Sequence, residues 1–226
     1  AARTCYSSKI PKKIRPLDIK DQLFDTGHHT PLEHFFLTFA LENIPVGDVT
    51  FGLHLVHPFY NTDQRSGRFS GKMFWHPQFK TVEDYISNSW PMVKKKTKRE
   101  IIDYLRKEIS IFQNNHYQIT GSARYFLKQE RPFISQENLE KNAPKIAQEQ
   151  LRMFIPVIFP TGLIHTMDLI TLASLYQTAW SPGMREITKQ MAEIVVTQFP
   201  ELSFMFPKRK KHYSEWIPRL SNNDMT

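Results

Sequence analysis

One cysteine, Cys5, is all that this chain of 226 residues contains. It cannot form an internal disulfide, and its presence fits a reducing compartment. No apolar run approaches the roughly 18 residues of a membrane-spanning helix. The start shows no signal-peptide pattern, so a cytoplasmic location is expected. Internal repeats and low-complexity linkers are absent, as are helix-turn-helix, RNA-recognition and zinc-finger patterns. What remains is apolar and basic. A hydrophobic content of 40% supports one buried core. A formal charge of +8 and a pI near 9.5 suggest anionic partners. Nucleic acid, a membrane surface and phosphorylated small molecules all satisfy such a total, so placement of the cations must decide.

Periodicity supplies a coarse map. Arg15 to Thr26 reads as a short helix with Leu17, Leu23 and Phe24 on its buried side and Gly27 as its stop. His34 to Glu42 is dense in Phe and Leu, and Thr50 to Val56 is apolar enough for a buried helical turn. Thr81 to Ser89 starts a helix that Pro91 interrupts. From Lys94 to Phe112, Ile101, Leu105, Ile109 and Phe112 fall at helical spacing. Ser135 is placed to cap a helix reaching Phe154, with Glu137 near its positive end and Pro144 as an expected kink. Thr161 to Asp168 is a candidate strand. Leu169, Leu172, Ala173 and Tyr176 mark one helix face after it, and Ile187, Met191, Ile194 and Val195 another. This predicts a single domain over 1–207 and a loosely held basic, then polar, tail over 208–226.

The stretch from His54 to Ser70, HLVHPFYNTDQRSGRFS, is richest in groups that can hold an anion. Pro58 ends any helix before it, and Asn61, Thr62 and Asp63 are turn formers. Gly67 between Ser66 and Arg68 lets backbone approach an anion while a guanidinium offers two parallel donors. Such a corner also serves as an ordinary solvated loop. Upstream, His28, His29, Glu33 and His34 cluster, but Pro31 and the ligand spacing do not place them on one helical face, so no metal is expected. The run from Lys94 to Arg99 is followed by Glu100, Asp103 and Glu108 and reads as a solvated face rather than a nucleic-acid surface.

Taken together, Ala1-Ala2-Arg3-Thr4-Cys5-Tyr6, the GHHTPLEH block over 27–34, Ser66-Gly67-Arg68 and Arg152 before Ile155-Pro156 form an ordered set. In order and spacing this set resembles the flavin-dependent thymidylate synthases, from Ala1 to about Phe206. The resemblance implies an α/β (α+β) fold with a central mixed sheet flanked by helices, and a strand ahead of Ala1. It favours a strand over a helix for 34–42. It implies an FAD-dependent methyltransferase that converts dUMP to dTMP, with methylenetetrahydrofolate and NADPH as co-substrates.

By the same resemblance, His28, Thr30, His57, Gln64 and Asp168 are cofactor-binding, and Gln64, Ser66, Gly67, Arg68 and Arg152 bind dUMP; Arg65 adds a cation of its own to that dUMP set. No protein nucleophile is implied. Cys5 falls at a position near the flavin. The family builds its site between subunits of a homotetramer. Some positions depart from its pattern: Val56 and Pro58 flank His57 where arginines are usual, and Ile170 and Ala179 stand where further arginines act. Two rivals follow. One is an impaired paralogue serving as a structural or regulatory subunit, in a hetero-assembly with a complete copy. The other is a nucleic-acid-binding protein acting through its basic helix.

Overall fold

A computed structural model describes residues 2–3, 7, 9, 17–54, 60–67 and 71–209. Strands β1 (Phe36–Pro45), β2 (Tyr60–Gln64) and β3 (Pro160–Asp168) form a small antiparallel sheet in the order β1-β3-β2. The helices are α1 (Val46–Asp48), α2 (Lys72–Trp75), α3 (Phe79–Ser89), α4 (Lys95–Glu130), α5 (Gln136–Leu151), α6 (Leu169–Thr178) and α7 (Pro182–Gln198). The expected α/β architecture is therefore present, its sheet antiparallel where a mixed one was expected. The chain divides into two compact units. The first comprises 1–41, 47–63 and 163–226, and the second 42–46 and 64–162.

In the first unit the short helix ends as expected. Gly27 takes φ +74°, a left-handed conformation that most side chains resist, and His28 N–H donates to the Leu23 carbonyl at 2.8 Å. Leu23 is buried. The regular part of that helix is one π-type turn, Lys20–Phe24. Pro31 then opens a 3-10 turn, Thr30–His34, that leads into β1. Strand β3, paired on both sides, buries residues on both of its faces, so its sequence does not alternate.

Helix α6 starts where Asp168 accepts from Thr171 N–H at 2.7 Å and from Thr171 Oγ1 at 2.9 Å. Helix α7 starts at Ser181, whose hydroxyl accepts from Met184 N–H and donates to Asp48. Its core face carries Met184, Ile187, Met191 and Val195. Ile194 does not belong to that face, because it lies at the stripe's edge and is 55% exposed. Of the expected tail, residues 208 and 209 are described. Arg209 donates to the Tyr176 and Arg185 carbonyls at 2.7 Å each and to Thr188 Oγ1 at 2.6 Å, with its guanidinium 4.0 Å from the Tyr176 ring centre.

The second unit is built on α4, whose 36 residues span about 54 Å. Val82 and Ile86 of α3 pack with Ile102, Leu105 and Ile109 of α4. The helix continues well past Phe112, where its apolar face thins to Thr120, Ala123 and Leu127. Ala123 and Leu127 are buried by Leu139 and Ala143 of α5, a long-range partner that local periodicity cannot reveal. Ser135 caps α5 as expected, accepting from Asn138 N–H at 3.3 Å. The helix runs through Pro144 to Leu151, and a 3-10 turn, Arg152–Phe154, completes the path to Phe154.

Candidate functional site

A cleft of about 360 Å³ opens in the second unit at the end of β2. Gln64 closes β2, and Arg65 N–H donates to the Gly162 carbonyl at 2.9 Å, which carries the pairing with β3 one residue further. That register places the Arg65 side chain on the cleft wall. Gly67 follows on the same wall, packed so tightly that a Cβ there would sit 3.1 Å from Phe74 Cζ. From the opposite direction, the turn after α5 brings Arg152, Met153 and Pro156 to the cleft.

Electrostatics give this cleft its chemical character. Arg65 and Arg152 line it, and no acidic residue is among the described residues that do. Glu42 is held just outside that lining, accepting from Arg65 Nη2 at 2.7 Å. This exposed ion pair lies over Gly162, where a Cβ would come within 2.7 Å of Glu42 Oε2 and 3.0 Å of Arg65 Nη2. One glycine on β3 therefore makes room for a bridge between the strands on either side of it. The pair itself adds little stability, since both partners are solvated. It orients Arg65 while leaving most of its five donors to other acceptors. Apolar walls from Met73, Phe74 and Ile155, with two guanidinium groups and the Gln64 amide, suit a ligand with a flat body and an anionic end.

Of the residues singled out from the sequence, Gln64, Arg65, Gly67 and Arg152 thus meet in one cleft. Ser66 is exposed beside them in the chain. His57 and Arg68 lie outside the described residues, as do Cys5, Val56 and Pro58. His28, Thr30 and Asp168 belong to the first unit. There the Thr30–His34 turn packs on α6, the helix that Asp168 caps. His29 stacks on Phe24 at 5.2 Å and its Nε2 meets the Phe24 carbonyl at 3.1 Å. In the same unit His54 Nε2 is 3.1 Å from Thr62 Oγ1, and burial lowers the His54 pKa below its usual value.

Two contributors escaped the sequence reading. Glu42 carries no local sign of its pairing with a residue on another strand. Gln148, on α5 and only 9% exposed, donates from Nε2 to the Gly67 carbonyl. A Cβ on Gly71 would overlap the same amide. The one signal available was its spacing, four residues before Arg152 and so on the same helical face.

Comparison with known proteins places these observations. The family model "Thymidylate synthase complementing protein" matches residues 1–201. Among solved structures, the chain is similar to thymidylate synthase X (ThyX) from Helicobacter pylori, crystallised with FAD and dUMP. Identity is 16%, the TM-score is 0.57, and the match covers 93% of this chain and 91% of that one. That likeness establishes the fold. Among curated proteins none matches significantly.

Proposed function

The chain belongs to the thymidylate synthase complementing protein family, and on that premise we propose that its arginine-lined cleft binds dUMP for flavin-dependent reductive methylation to dTMP. The observation that carries the reading is the meeting of Arg65 and Arg152 in a cleft with no acidic residue among the described residues that line it. A phosphate monoester is doubly charged near neutral pH, and guanidinium groups bind it through short charge-assisted hydrogen bonds. Ser66, Gly67 and Arg68 complete the phosphate corner. Gln64, at the end of β2, offers both an acceptor and a donor to the uracil or the sugar. Phe74 and Met73 supply the apolar wall for the pyrimidine.

FAD fits this chain unevenly. The His28–Thr30 turn offers polar groups at a bend held by the Leu23 carbonyl, which suits the uncharged part of a flavin. His57 and Gln64 are proposed as flavin-contacting residues from the family pattern alone. At Asp168 the fit is poor. Its carboxylate already accepts two hydrogen bonds from Thr171, and its charge opposes a pyrophosphate. Ile170 and Ala179 add no cation there. When bound, FAD supplies the hydride chemistry while the protein positions and polarises. Within the chain's own contribution, Arg65 and Arg152 hold dUMP, Gln64 orients it, and the apolar wall excludes water from the pyrimidine face.

Methylenetetrahydrofolate serves as carbon donor and NADPH as reductant, in a cytoplasmic homotetramer. Among the described residues no helix is long and apolar enough to cross a membrane. The test begins with the purified protein: calorimetric titration with dUMP, flavin absorbance after incubation with FAD, and dTMP formation with both co-substrates. Saturable dUMP binding with dTMP production is the expected result. A protein that ignores dUMP at millimolar concentration, with FAD present, sinks the reading.

A further inference from the structure

We propose that Gln148 is a positioning residue that fixes the glycine corner of the cleft relative to Arg152. This deepens the nucleotide reading and rests on it. Gly67 of the phosphate corner and Gly71, just ahead of α2, both meet one buried amide. The Gln148 Nε2 donates to the Gly67 carbonyl. Its remaining amide atoms lie so close to Gly71 that no Cβ fits there. The carbonyl needs a donor, which sets the amide's orientation.

The same helix face carries the other half of the grip. Arg152 lies four residues on, at the turn that ends α5, and reaches the cleft that Gly67 lines. One stretch of helix therefore bears one anion-binding group itself and holds the second through Gln148. The spacing between them is set by helix geometry rather than by a loop. This matters for a tetrahedral anion, which needs its donors preplaced around it.

A glutamate at this position keeps the shape but, when ionised, has no donor and turns a charge on the Gly67 carbonyl. A methionine keeps similar volume with neither donor nor charge. Gln148→Glu and Gln148→Met are each expected to weaken dUMP binding about ten-fold or more by calorimetry, while FAD uptake stays as in the unaltered protein. In both variants amide hydrogen exchange over 64–67 and 71–74 should quicken, with that at Leu139 in the α5 core unchanged. Near-native dUMP affinity and unchanged exchange in Gln148→Met overturn the proposal, and that variant decides alone should Gln148→Glu fail to fold. If the unaltered protein binds no dUMP, the nucleotide reading falls, and the exchange comparison by itself upholds or rejects the clamp.

Discussion

The two units use their polar side chains in opposite ways. In the first, polar groups are consumed internally: Asp168 caps α6 through both oxygens, Ser181 caps α7, and Arg209 makes three hydrogen bonds to the protein. In the second, the groups around the cleft are held at one point and presented at another. Arg65 is tethered by a single bond to Glu42, and Gly67 by its carbonyl to Gln148. A buried polar group must be satisfied to be tolerated, so a satisfied one is weak testimony of function. A partly tethered Arg65 beside Arg152, with no acidic residue among the described residues lining the cleft, is stronger testimony. That contrast is why the nucleotide site is proposed at the cleft of the second unit.

Substitutions can break the contrast, and the largest effect belongs to the cleft. Arg152→Ala should weaken dUMP binding about a hundred-fold, the loss of charge-assisted bonds worth about 3 kcal/mol. Its melting temperature should stay near the native value, because residue 152 is exposed. Calorimetry and thermal melting run together would separate these effects. A large fall in stability with intact binding would reverse the assignment.

In the first unit the effects should trade places. Arg209→Ala removes hydrogen bonds to two carbonyls and one hydroxyl and should cost about 2 kcal/mol in denaturant unfolding. The dUMP affinity should not move. Asp168→Ala should cost about 1 kcal/mol through loss of the α6 cap. Asp168→Asn keeps one acceptor and part of the cap. If its FAD affinity nonetheless collapses, Asp168 has a ligand role beyond capping.

The smallest effect is a pH dependence at His54. Burial lowers its folded-state pKa below the usual 6.5, so in the window below 6.5 the unfolded chain binds more protons. The stability associated with neutral His54 is whole above that value and declines as pH falls toward the folded pKa. His54→Gln should flatten this decline, measured as urea midpoints between about pH 7 and pH 5. An unaltered slope would mean that Thr62 and the surrounding groups accommodate the imidazolium.

Short-range physics made much of this protein legible before any fold was known. Gly27 as a stop, Ser135 as a cap and the strand ending at Asp168 all depend on residues within a few positions of one another. Among the cleft residues, Gln64, Gly67 and Arg152 were recognisable as a set through the family pattern, with Arg65 as an added cation, and only the Ser66-Gly67-Arg68 corner also carried a local signal. Less legible were the far half of α4 and the outward turn of Ile194. In each, periodicity was too weak to outvote a distant packing partner, or the lack of one.

Chain order determined several helix caps and stops, which residues carry charge, and which family the protein belongs to. Tertiary structure alone decided that Gln148 grips Gly67 and that Glu42 reaches Arg65 across Gly162. The reason is physical. Caps and turns are satisfied by neighbours along the chain, whereas a cleft is assembled from segments dozens of residues apart, and which donor meets which acceptor is settled by packing.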